Sequence, residues 1–130
     1  MNTDKNNIGF KMFIKQLIGK LYKKWKWRSG NAMIITEQYV PQKGKILDIG
    51  CGAGFFAEYL YKKSTARKVF GIDSDPDKIR QAKLYENENL KFEVMDLRDI
   101  ENGKFDCIIL FDIIHHIPKN IQKELLIKIK

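Results

Sequence analysis

A chain of 130 residues can bury one domain-sized core and not two. With 44% hydrophobic and 31% charged residues, nine Gly and three Pro, it is neither collagen-like, nor low-complexity, nor disordered throughout. Its longest unbroken apolar run, Cys107 to Phe111, is too short for a membrane-spanning helix. The net charge of +8 is concentrated at one end, because residues 1–40 hold eight lysines and arginines against Asp4 and Glu37.

Lys11, Lys15 and Lys20 interrupt the first apolar residues, so no secretory h-region is present. Phe10, Phe13, Ile14, Leu17, Ile18, Leu21 and Trp25 recur at steps of three and four, which predicts an amphipathic helix with a basic face. Three readings of this helix stand side by side: packing over the domain, peripheral contact of residues 8–28 with an anionic membrane, or contact with nucleic acid. Ser29-Gly30-Asn31 breaks it, and residues 32–39 form a second short helix before Pro41. Residues 1–42 thus read as a basic helical segment, and residues 43–130 as the globular domain.

From residue 45 onward strand and helix alternate. Residues 45–49 (KILDI) form a buried strand, 53–63 a helix with apolar residues at 55, 56, 59 and 60, and 64–66 a loop. Residues 68–72 (KVFGI) form the second strand. Asp75-Pro76 opens a helix to about residue 85, since Asp suits the N-cap and Pro the first helical position. Residues 90–94 alternate as a third strand, 105–111 form a fourth, and 121–129 form a helix after Pro118. Apolar strands separated by helices predict an α/β fold, a doubly wound parallel sheet covered on both faces. Cys51 and Cys107, far apart in sequence, make no disulfide scaffold and point to a reducing, cytoplasmic setting.

In an open parallel sheet, ligands lie beyond the carboxyl ends of the strands. Those ends here carry Asp48, Gly50, Gly52 and Gly54, then Asp73, Asp96 and Asp112. Glycines at a strand-to-helix turn let backbone approach a ligand closely. An acid at the end of the next strand can accept from both ribose hydroxyls. A dinucleotide fingerprint fits only as Gly52-x-Gly54-x-x-Ala57, which leaves Asp48 and Gly50 without a role, and no phosphate-binding Lys-Ser/Thr follows. Asp48 beside the turn suits a cation better than a pyrophosphate. S-adenosylmethionine, with a sulfonium and an ammonium against one carboxylate, matches that acidic rim.

LDIGCGAGFFAEYL (47–60) resembles motif I of the class I S-adenosylmethionine-dependent methyltransferases. GIDSDPDKIRQAK (71–83), FEVMDLRDI (92–100) and FDCIILFDIIHHIP (105–118) resemble their next three motifs, in order, and the D-x-x-H-H stretch resembles the small-molecule and quinone or lipid branch. The resemblance covers about residues 43–125. It implies a Rossmann-like sheet of order 3-2-1-4, the first half of a seven-stranded one, as in a C-terminally truncated chain. It implies S-adenosylmethionine as cofactor, with Asp48, Gly50, Gly52 and Gly54 on its methionine part and Asp73 with Ser74 on its ribose. Asp96 would accept from the adenine amino group, the Leu97 N–H would donate to the ring, and Asp112 would border the sulfonium.

In-line methyl displacement asks for alignment and exclusion of water, and for a base only where the acceptor must lose a proton. His115 or His116 is the candidate for that base, His115 first. Two adjacent histidines without a third ligand predict no metal site. The expected activity is methyl transfer to a small-molecule or lipid-like acceptor. A non-catalytic cofactor-binding fragment and a nicotinamide oxidoreductase are the other readings. Asp112-Ile113-Ile114-His115 stands where methyltransferases acting on bases carry a Pro-Pro-aromatic element, which disfavours nucleic acid as substrate. An uncovered fourth strand would favour self-association.

Overall fold

The computed structural model describes residues 32–101, 104–111 and 117–128. The expected helix over residues 10–25, together with Asp112, His115 and His116, lies outside the described residues. The chain divides into two compact units, Met1–Gln38 and Tyr39–Lys130. Within the first, residues 32–37 are helical, and the Thr36 hydroxyl donates to the Ala32 carbonyl at 2.7 Å.

In the second unit, four parallel strands are joined in the order β3-β2-β1-β4: β1 is Gly44–Ile49, β2 Arg67–Asp73, β3 Leu90–Val94 and β4 Cys107–Ile109. The helices are α1, Phe55–Lys63; α2, Pro76–Ala82; and α3, Lys119–Lys128. The predicted sheet and its order are therefore observed. β1 sits at the centre, with Asp48 opposite Gly71 of β2 and Ile109 of β4.

Because successive side chains of a strand point to opposite faces, each face has its own core. On one face Leu47, Ile49, Ile72 and Ile100 pack with Ile117 and with Ile121 of α3. On the other, Ile46, Val69, Leu90 and Phe92 are buried, as are Phe56, Ala57 and Leu60 of α1 and Ile79 and Ala82 of α2. Arg67 is also fully buried. Its guanidinium donates to the carbonyls of Pro41 at 2.7 Å, Leu60 at 2.9 Å and Val40 at 3.0 Å, tying the segment before β1 to the end of α1.

The element ends differ from expectation for local reasons. α1 begins at Phe55 because Gly54, at φ 86°, takes a left-handed conformation that a helix interior cannot contain. α2 stops at Ala82 and tightens into a 3-10 turn over Lys83–Tyr85. β4 keeps three ladder residues of the seven expected, paired with β1. α3 starts two residues early, directly after Pro118.

Candidate functional site

The carboxyl ends of β1 and β2 are built into one piece by their backbones. The Gly50 and Cys51 N–H groups both donate to the Ile72 carbonyl, at 2.8 and 2.9 Å. The turn then closes through Gly54 N–H to the Cys51 carbonyl at 3.0 Å, and α1 starts with Glu58 N–H on the Gly54 carbonyl at 2.9 Å. Gly52 has φ 57°, and a Cβ added there would meet nothing within 4 Å, so the turn presents bare backbone to open space. Gly54 answers a different need. A Cβ on it would fall 2.7 Å from Phe92 Cζ and 3.0 Å from Ala82 Cβ.

Asp73 completes the turn. One carboxylate oxygen accepts from the Gly52 N–H at 2.9 Å, and the other accepts from the Asp75 N–H at 2.9 Å. Asp75 in turn caps α2 by accepting from the Asp77 N–H at 2.9 Å, with Pro76 at the first helical position as expected. The residue predicted to hold a ribose thus also anchors the glycine turn. That second role depends on register between strands and left no signal in the sequence.

Asp48 is the unusual group. It is 2% exposed, and among the described residues its Oδ2 has no hydrogen-bond partner. Burial first, and the neighbouring Asp73 carboxylate second, push its pKa up to about 8. A buried carboxyl with an unmatched oxygen is costly unless it stays protonated or meets a cation. An orphaned carboxyl oxygen beside a bare glycine turn fits a ligand carrying an ammonium. It does not fit a pyrophosphate. Burial first, and then the Asp48 and Asp73 charges, push the Cys51 thiol above the usual range, which disfavours its thiolate.

The rest of the predicted rim is less uniform. Ser74 follows Asp73 as an exposed bend. Asp96 caps the 3-10 turn Leu97–Asp99 by accepting from the Arg98 N–H at 2.9 Å. Its two oxygens also accept from Arg98 Nε and Nη2, both at 3.0 Å. An adenine amino group would therefore share this carboxylate with Arg98, which sequence reasoning missed although the Asp-x-Arg spacing was visible. The Phe111 ring stacks on Phe56 of α1 with centroids 4.4 Å apart, joining the segment after β4 to that helix. Asp106 serves the fold, accepting from the Lys45 N–H at 2.8 Å. A groove of about 520 Å³ on the Leu47 face of the sheet, lined by Phe70, Met95, Ile100 and Phe105, includes no residue of the glycine turn.

Residues 46–130 match the methyltransferase domain family. Over 79 residues the chain is 30% identical to the mitochondrial ubiquinone biosynthesis O-methyltransferase of Candida albicans, covering 55% of this chain and 24% of that protein. Over 98 residues it is 33% identical to the ribosomal protein L11 methyltransferase of Thermosipho africanus, covering 68% and 37%. The chain thus spans between a quarter and just over a third of these curated relatives. The crystal structure of the PH0226 protein from Pyrococcus horikoshii superposes with a TM-score of 0.66 at 29% identity, over 80% of this chain and 50% of that one.

Proposed function

The chain belongs to the methyltransferase domain family, and on that footing we propose that it binds S-adenosylmethionine at the glycine turn and passes the methyl group to a small-molecule or lipid-like acceptor. The observation that carries this reading is the buried, unmatched Asp48 oxygen beside an Asp73 carboxylate that already organises the turn. When bound, the cofactor supplies a methyl group on a sulfonium, an electrophile that needs alignment more than activation. Asp48 offsets the ammonium of the methionine part, and Gly50, Gly52 and Gly54 let the backbone follow it. Asp73, held by two N–H groups, keeps lone pairs for the ribose hydroxyls, with Ser74 beside it. Asp96 accepts from the adenine amino group next to Arg98, and the Leu97 N–H faces the ring. Asp112 borders the reacting end, and His115 takes the proton where the acceptor must lose one.

The small or lipid-like acceptor rests on the D-x-x-H-H stretch and on the likeness to a ubiquinone biosynthesis O-methyltransferase. A protein acceptor is the second reading, favoured by the likeness to ribosomal protein L11 methyltransferases. Among the described residues β4 pairs only with β1. No helix among the described residues is long and apolar enough to cross a membrane.

Titration calorimetry with S-adenosylmethionine, S-adenosylhomocysteine and NAD tests the cofactor. Binding of both S-adenosyl ligands with NAD far weaker supports the reading, and preferential NAD binding overturns it. Transfer of labelled methyl to a quinol-type panel against a ribosomal protein panel then assigns the acceptor. Tight binding without transfer to either would mark a non-catalytic binding domain.

A further inference from the structure

The buried carboxyl at the end of β1 has a consequence for how a ligand enters. Asp48 sits between Gly71 and Ile109 in the sheet, neither of which can neutralise it. The charged and titratable groups around it come from few elements among the described residues. β2 contributes the Asp73 carboxylate, the glycine turn contributes the Cys51 thiol, β4 presents Ile109, and the buried residues of α1 are Phe56, Ala57 and Leu60. Lys78 of α2 acts on the Cys51 thiol. With a second carboxylate beside it and, among the described residues, no basic group acting on it, the buried Oδ2 is best occupied as an O–H in the free protein.

Resting on the S-adenosyl reading of this site, we propose that arrival of the ligand's α-ammonium expels one proton from Asp48, so that the site acquires its negative charge only when a cation enters. The O–H bond of the carboxyl breaks, its electron pair stays on the carboxylate, and the proton leaves to solvent. The ammonium keeps its own protons and takes the place of the lost one beside Oδ2. Discrimination follows directly. A neutral nucleoside with the same ribose and adenine gains nothing from Asp48, whereas an amino-acid nucleoside gains a buried charge partner.

The test is calorimetric titration of the full chain with S-adenosylhomocysteine at pH 7 in buffers of different ionisation enthalpy. With a free-state pKa of about 8, the wild type should release about 0.9 proton per ligand, and its affinity should rise roughly 25-fold from pH 6 to pH 7.5. Adenosine, which lacks the ammonium, should release none. Asp48→Asn should bind S-adenosylhomocysteine with a flat pH profile and no proton release. Binding without proton release in the wild type overturns this inference and leaves the proposed function standing. Absence of S-adenosylhomocysteine binding overturns both. Equal release by adenosine, or release that persists in Asp48→Asn, overturns it as well, because another group such as His115 would then be the source. The wild-type and adenosine arms decide the question even if Asp48→Asn folds poorly.

Discussion

Asp73→Ala should do two kinds of damage, and they can be separated. The side chain accepts the Gly52 and Asp75 N–H groups, each at 2.9 Å. Hydrogen bonds to a charged acceptor contribute about 1.5–3 kcal/mol each, and Asp73 is only half-buried, so water recovers part of the loss. We therefore expect a destabilisation of roughly 2–3 kcal/mol, which in a chain of this length lowers Tm by roughly 8–12 °C. Urea unfolding gives the stability change. Calorimetry with S-adenosylhomocysteine gives the second effect, a further weakening of binding by about 1–3 kcal/mol from loss of the ribose acceptor. Asp75→Ala is the comparison, since it removes only the cap on the Asp77 N–H. It should cost about 1 kcal/mol of stability and leave binding unchanged. Stability of Asp73→Ala within 0.5 kcal/mol (roughly the scatter expected of an uninvolved surface site) would refute the argument that this carboxylate anchors the turn. Unchanged affinity would refute its contact with ribose.

Other consequences are open to measurement. Gly71→Ala would bring a methyl within 2.6 and 2.7 Å of Phe92 ring carbons and 2.9 Å of Cys51 Cβ, so it should cost about 1–3 kcal/mol of stability. In a Phe92→Leu background the penalty should shrink, giving a double-mutant coupling above about 0.5 kcal/mol by denaturant unfolding. Arg67→Met leaves three carbonyls without their buried donor and should cost roughly 2–4 kcal/mol in the same assay. Asp48 binds its proton more tightly folded, at about 8, than unfolded, at about 4, so ligand-free stability should fall as pH rises between those values. Between pH 5.5 and pH 8 this amounts to about 3 kcal/mol. Subtracting the Asp48→Asn profile isolates it, and parallel profiles would sink the assignment.

The sheet was legible because its strands are short apolar runs whose ends coincide with glycines and acids. Residues 45–49 and 90–94 need no tertiary information to be read as strands. The ends were less so. The helix was read from Ala53, and only the left-handed backbone of Gly54, packed under Phe92, moves the start of α1 to Phe55. The apolar run from Phe105 to Phe111 suggested a long strand, but pairing with β1 extends only over Cys107–Ile109. In the site, the acids at the ends of β1 and β2 could be named from their positions. What each does for the fold could not be, because the hold of Asp73 on Gly52 spans 21 residues and exists only once β1 and β2 are in register. That Asp48 Oδ2 has no partner among the described residues arises the same way: alternation sends the side chain to the buried Ile46 face, and no sequence rule says whether a partner waits there.

The shared Ile72 carbonyl changes what the glycines mean for motion. A loop rich in glycine is ordinarily the first part of a domain to exchange its amide hydrogens, yet Gly50 and Cys51 are fastened to the end of a central strand. Their protection should follow that of β2 and exceed that of the exposed Ser74. The conformational entropy of the loop is then surrendered during folding, so a ligand bound as proposed would meet a turn already ordered.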